Sequence, residues 1–219
     1  LLEASQTAAL ARLRGRRFAF EDQGTGVKID RVSDSIHSTM SQDGKMIVLG
    51  NGSFMHIFRG GELHREDTEQ EITAVAISGD NRLVIGSTRD GVIHTWSPEG
   101  TSWSRTHIHP SGERYNQICT NTDGSFTACK GGNSVRFLEN GKSLCELTLP
   151  HIIDSIALSG TTCVTYYAGD LEIYNTQNMR ADTHTAKGVN HYALSPDGET
   201  VVTLGYDMST VKILRKDGT

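Results

Sequence analysis

"SPDGETVVTLGYDMSTVKILRKDG", residues 195–218, reads as a turn, an alternating strand, a second turn and a second alternating strand. The opening Ser-Pro-Asp-Gly suits a tight hairpin, because an Asp side chain bonds its own backbone and Gly takes positive φ without penalty. The outline recurs as "SQDGKMIVLG" from Ser41, "SGDNRLVIG" from Ser78, "NTDGSFTACKGG" from Asn121 and "SGTTCVTYYAG" from Ser159. Successive starts lie 37, 43, 38 and 36 residues apart, the period of a structural repeat. An apolar alternation precedes the later copies, as in "ITAVAIS", "YNQICTN", "IDSIALS" and "VNHYALS".

A third strand follows every copy: "FMHIFR", "VIHTWS", "VRFLE", "LEIYN" and "VKILR". Aligned on Phe58, Trp96, Leu138, Tyr174 and Leu214, the residue before is Ile57, Thr95, Phe137, Ile173 or Ile213. Three before stand Met55, Ile93, Val135, Leu171 and Val211, so one side of the strand is apolar with period two. The position between holds His56, His94, Arg136, Glu172 or Lys212. A site that accepts either charge predicts a partly solvated structural face and not a paired histidine site. A looser fourth strand, "GELHRE" or "KSLCELTL", closes a unit. Four short antiparallel strands cannot bury both faces alone, so the copies must stack. The expected fold is all-β, a β-propeller of four-stranded antiparallel blades.

The pattern resembles the tryptophan-aspartate (WD) repeat family, whose copies run S-P-D-G in the first hairpin and end a third strand with V-x-V-W-D. The resemblance covers about residues 31–219, with units near 31–66, 67–105, 112–147, 150–183 and 187–219. Only Trp96 keeps the tryptophan, no copy keeps the Asp after it, and the Gly-His pair before the first strand is missing. The family's hydrogen-bonded chain of His, Ser or Thr, Asp and Trp is matched by Ser87, Asp90 and Trp96, which the resemblance makes structural residues. His64 stands several residues too early for the fourth member.

Residues 17–219 are therefore read as the propeller domain and residues 1–16 as an N-terminal helical or linker segment, with Leu2, Leu10 and Leu13 near one helical face. Two ring sizes fit. "GVKID" at 26–30 would supply the last blade's fourth strand and close a five-bladed ring. "RFAFE" at 17–21 instead puts Phe20 in phase 38 residues before Phe58, as the third strand of a sixth blade.

At 219 residues the chain buries roughly 70% of its unfolded surface. Twenty-one basic against 26 acidic side chains give a net charge of -5, which disfavours generic attachment to nucleic acid; the Arg-rich stretch at 12–17 is one small exception. No apolar run approaches the roughly 18 residues that cross a bilayer as a helix. Cys119, Cys129, Cys145 and Cys163, without a C-x-x-C pair, read as core hydrophobes in a reducing compartment, so an intracellular, cytoplasmic or nuclear location is expected.

No nucleophile elbow, phosphate loop, zinc-helix or dinucleotide motif is present, so the chain is read as no enzyme, with no catalytic residue, metal or cofactor. Asp43, Asp80, Asp123 and Asp197 occupy equivalent hairpins and are explained as turn formers. The acidic run "REDTEQE" at 65–71 reads as a solvated loop. Long connections carry binding more often than short ones, which singles out 105–115 with His107, His109, Arg114 and Tyr115. Tyr166, Tyr167 and Tyr206 end second strands at the same rim, and exposed Tyr is enriched at interfaces; Arg89 joins them as a candidate contact. The resemblance implies a non-catalytic scaffold binding other proteins of a multi-subunit complex. The competing reading is a five-bladed lectin or propeller hydrolase acting on a carbohydrate or small ligand.

Overall fold

A computed structural model describes residues 9–14, 17–22, 28–29, 36–41, 43–99, 102–108, 113–176 and 180–215. The described residues are all-β, in antiparallel sheets of three or four strands taken from the chain in order. They divide into two compact units at Asn116 and Gln117.

The first unit opens with β1 (Ala9–Arg14), β2 (Arg17–Asp22) and β3 (Lys28–Ile29) in one antiparallel sheet. This overturns the helix expected at the N-terminus from residue 9 onward; residues 1–8 lie outside the description. Three leucines at helical spacing are a weak signal, and here they lose to a ladder that sets Leu13 opposite Phe18 and Ala11 opposite Phe20. Lys28 and Ile29 pair with Glu21 and Phe20, so β3 stands beside β2. Two four-stranded sheets follow in this unit. One holds β4 (Ile36–Met40), β5 (Met46–Asn51), β6 (Phe54–Arg59) and β7 (Glu62–Asp67); the next holds β8 (Ile72–Ile77), β9 (Val84–Thr88), β10 (Ile93–Glu99) and β11 (Ser102–Ile108).

The second unit repeats the scheme with β12 (Gln117–Thr120), β13 (Phe126–Gly131), β14 (Ser134–Glu139) and β15 (Lys142–Thr148), then β16 (Ser155–Ser159), β17 (Thr162–Tyr167), β18 (Asp170–Asn175) and β19 (Arg180–Ala186). Its last sheet has three strands: β20 (Val189–Leu194), β21 (Thr200–Gly205) and β22 (Val211–Arg215).

Burial follows strand rank within a sheet. In the four-stranded sheets second strands are sunk on both sides, β5 over its whole length, whereas the fourth strand β7 alternates between solvent and partial cover. Three apolar faces are covered by the next sheet of their unit. Val48, Met55 and Ile57 meet Ile72, Val84 and Trp96. Ala128, Val135 and Phe137 meet Ile156, Leu158, Cys163 and Tyr174, and Val164, Leu171 and Ile173 meet Val189 and Val201. Gly86 makes room for the first of these stacks, since a Cβ there would lie 2.6 Å from the Met55 methyl and 3.1 Å from the Trp96 ring. Cys129 and Cys163 are buried free thiols whose ionisation burial opposes.

The first hairpins carry the side-chain bonds their sequence implies. Ser41 Oγ donates to Asp43 at 2.7 Å, Ser78 Oγ to Asp80 at 2.7 Å and Ser195 Oγ to Asp197 at 2.5 Å. In each, the second residue beyond the Asp returns its backbone N–H to that carboxylate at 3.0 Å. In the Asn121 copy, Ser125 donates to Asp123 from both Oγ and backbone N–H. These carboxylates are fixed parts of turns.

Candidate partner-binding end of the sheets

In an antiparallel sheet of four, the hairpin between second and third strands and the exit from the fourth strand share one end. That end is the candidate site, and backbone hydrogen bonds lace it together. In the first unit the connection after β7 donates from Thr68 N to Ser53 O at 2.8 Å and from Ile72 N to Gly52 O at 2.7 Å, both in the β5–β6 hairpin. Arg89 N, in the β9–β10 hairpin, then donates to Glu71 O of the same connection at 2.8 Å. In the second unit Leu149 N and Ile153 N reach Asn133 O and Gly132 O, while Asp154 N donates to Tyr166 O at 2.8 Å. Val189 N then donates to Gly169 O at 2.8 Å, and Tyr206 N to Gly188 O at 3.0 Å. Among the described residues, the connections after β7, β15 and β19 are thus each tied to the sheet before and the sheet after, which fixes exposed side chains in space.

On the first unit's end, Arg89 is exposed and reaches Glu71 at 3.4 Å, and Arg114 is exposed nearby. Burial lowers the His37 imidazole below its ordinary value, with Glu71 opposing the shift and Arg114 reinforcing it, so these groups share one electrostatic neighbourhood. Tyr115 does not belong to this surface. Its side chain is fully buried, and its carbonyl accepts from Ser87 Oγ at 3.3 Å; an aromatic of that size completes the core under the connection. His107 lies on β11 opposite His94, so this part of the expected connection is strand, and His109 lies outside the described residues.

On the second unit's end the three tyrosines play different parts. Tyr166 is half-buried and donates to Val189 O at 3.0 Å, pinning the entry of the next sheet. Tyr167 donates to Glu172 Oε1 at 2.9 Å and stacks on His151 at 5.2 Å; desolvation first, then that carboxylate, push its hydroxyl up to about 12. Tyr174 donates to the other oxygen of the same carboxylate. Tyr206 is exposed, its ring set against Gly169, where a Cβ would come 2.1 Å from the hydroxyl. Ile152 and Met208 add exposed apolar side chains to this end. A cavity of about 280 Å³ lies beside it, lined by Lys187, Thr203, Tyr206, Asp207, Thr210 and Lys212.

The expected structural residues are placed as follows. Ser87 Oγ bonds Thr73 Oγ1 at 2.9 Å, and Asp90 accepts from Thr88 Oγ1 at 2.6 Å. Thr88 Oγ1 lies 3.4 Å from His94 Nε2, and His94 stacks on Trp96 at 5.7 Å. The Trp96 indole donates elsewhere, to Glu66 Oε2 at 2.8 Å on β7 of the preceding sheet. Glu66 also receives Arg105 Nε at 2.8 Å, and Arg105 bonds Asp67 O at 2.9 Å. The acidic run therefore begins as strand and clamps two sheets, which corrects its reading as solvated loop. His56 and His94 are buried, against the partly solvated face expected of them, because the third strand of a covered sheet has neighbours on both sides. Sequence reasoning missed Glu66, which is told from its acidic neighbours only by which β7 face meets the next sheet.

No protein-family model matches the chain, and no curated protein is significantly similar to it. No helix among the described residues is long and apolar enough to cross a membrane.

Proposed function

We propose that this chain is a WD-repeat-like β-propeller protein that acts as a scaffold, binding partner proteins without catalysis. The observation that supports the reading is the lacing of the loop end: the described connections after β7, β15 and β19 are hydrogen-bonded to the sheets on both sides, so exposed groups are held on a stiff β framework. A surface of that kind gives up little conformational entropy on association. Arg89 and Arg114 in the first unit, and Tyr206 with Ile152 in the second, are the exposed groups of the types that anchor interfaces. Tyr166 and Tyr167 serve as supports, since their hydroxyls are committed inside the fold. Partners offering carboxylates fit the arginines of the first unit's end, and partners offering an apolar pocket fit Tyr206 at the second unit's end.

The test is quantitative affinity capture from native extract with the wild-type chain and with Arg89→Glu/Arg114→Glu and Tyr206→Ala, each checked by circular dichroism. Loss of the same captured proteins by variants that keep their fold is the expected result. An unchanged captured set would remove this end from the mechanism, and specific binding on a glycan array would replace the scaffold reading with a carbohydrate-binding one.

A further inference from the structure

The first unit holds a recess at the end of its sheets opposite the laced one, between the β6–β7 hairpin and the β10–β11 hairpin. It is a groove of about 440 Å³ lined by Arg59, Glu62, Leu63, His64, Pro98 and Trp103. That volume lies inside the roughly 300–1,000 Å³ of ligand sites. Trp103 is half-buried against the core of the two sheets, Pro98 is its cross-strand partner, and the His64 ring stands 6.3 Å from the indole. The Arg59 guanidinium lies 5.9 Å from the centre of the same indole. Arg89, Arg105 and Arg136 each reach a carboxylate, whereas the exposed Arg59 reaches none among the described residues.

The groove also runs along a strand edge, because β7 is the outermost strand of its sheet. Gly60 and Gly61 sit at positive φ, +59° and +85°, a two-residue turn that makes Arg59 and Glu62 the hydrogen-bonded closing pair. Leu63, Arg65 and Asp67 then aim their backbone N–H and C=O away from β6. The Asp67 carbonyl shows that direction by accepting from Arg105 Nη1 at 2.9 Å. Among the described residues no backbone group outside β6 bonds Leu63 or Arg65. We propose that the groove and the β7 edge together dock a short extended segment of a partner protein, which pairs with Leu63 and Arg65, lays an apolar side chain on Trp103 and sets one carboxylate on Arg59. In this mode the free edge supplies affinity and the side-chain groove supplies choice. Glu62 faces Arg59 across the hairpin without an ion pair, so it repels a second carboxylate and the segment carries a single acidic residue there. Glu66, on the same face of β7, is already held by Trp96 and Arg105 and is closed to the ligand.

The test screens the whole chain on an array of capped hexapeptides in which Leu, Ile or Phe alternates with Thr and one Thr is replaced by Asp or by Asn. Peptides that bind are then labelled and titrated by fluorescence anisotropy. Asp peptides are expected to bind, and their Asn counterparts about fivefold or more weakly. Arg59→Gln, at an exposed position, abolishes that difference, and Trp103→Ala weakens every bound peptide about tenfold. N-methylating one alternate set of peptide nitrogens costs about tenfold and the other set far less, the signature of strand pairing. Arg89→Glu/Arg114→Glu, at the laced end, changes nothing, and all variants keep the wild-type circular dichroism. An array without binding overturns the proposal. So do peptides that keep their affinity in Arg59→Gln or after N-methylation of either set, peptides that prefer a second Asp, and Trp103-dependent binding on a glycan array in place of peptides.

Discussion

The β16–β19 and β20–β22 sheets make a controlled comparison, because one cross-strand row, Ala157, Val164 and Ile173 in the first and Ala193, Val202 and Ile213 in the second, is written in both and only its surroundings differ. In the first, the next sheet lies on the row and Val164 is wholly buried; in the second, Val202 keeps 37% of its exposure. The residues therefore specify that a face is made for packing, and the stacking decides whether it is packed. The sharpest way to break this statement is to place a carboxylate at each valine. Val164→Asp strands a charge among Leu171, Ile173 and Val189, costs about 4 kcal/mol or more, and unfolds the second unit. Val202→Asp costs within about 1 kcal/mol. Urea denaturation followed by circular dichroism distinguishes them, and equal costs would show that the two faces are equally covered.

The next largest effect concerns what a covered sheet adds beyond apolar contact. Trp96 is fully buried and its indole donates to Glu66 on the preceding sheet, whereas the aligned residue of the terminal sheet, Leu214, has no polar atom to offer. Trp96→Leu makes the second sheet resemble the terminal one. It leaves a void and removes one of the three partners of Glu66, for a loss of about 2–3 kcal/mol in urea denaturation. Glu66→Gln keeps the volume and leaves no void, weakening only the polar contacts to Arg105, His64 and Trp96, so it should cost less than Trp96→Leu.

Much of the architecture was legible because repetition averages out local ambiguity. One hairpin with an Asp is a weak signal, but Asp43, Asp80, Asp123 and Asp197 at equivalent positions fix the register of the strands on both sides, and the third strands fall where the alternation puts them. The start of the chain had no repeat to lean on, and three leucines were read as a helix where the backbone pairs as β1 and β2. The candidate site was legible as an end of the sheets, but not residue by residue. Tyr115 and Tyr206 are the same amino acid, each outside a strand, one fully buried and the other exposed, because each depends on whether a neighbouring element lies over it. Glu66 shows the same limit: its role lies in a contact 30 residues away.

Acid sharpens the comparison through His56, whose counterpart in the terminal sheet is the exposed Lys212. Burial first, and then Arg65, lower the folded-state imidazole to about 4. The unfolded chain binds a proton near the ordinary 6.5 while the folded chain does not, so between these values stability rises with pH and its contribution is complete above about 6.5. Asp43, Asp123 and Asp197 are held below the usual carboxylate range, first by side-chain hydrogen bonds from Ser41, Ser125 and Ser195. They act in the same direction in a lower window, their contribution present above about 3.8 and lost as pH falls further. His56→Phe should reduce the dependence of the urea midpoint between pH 4 and 6.5, leaving the part that the lowered His37 carries, and keep the loss below pH 4 in place. A slope unchanged by His56→Phe would mean that another group carries it.

The smallest effect isolates the contact that seats the terminal sheet's hairpin on its covered neighbour. Gly169 and Gly188 both sit at positive φ, +87° and +69°, so an alanine at either costs about 1 kcal/mol from the backbone alone. They differ in what a methyl would meet: at Gly169 the Tyr206 ring lies within 3 Å, and at Gly188 the nearest atom of that ring is 4.0 Å away. Gly169→Ala should therefore exceed Gly188→Ala by about 0.5–1 kcal/mol in thermal or urea unfolding, the excess being the displaced ring. In a Tyr206→Ala background that excess should vanish, because the backbone term is common to both glycines and only the ring distinguishes them. An excess that persisted without the ring would place the strain in the Gly169 turn itself, and the tyrosine would then be displayed by its own hairpin alone.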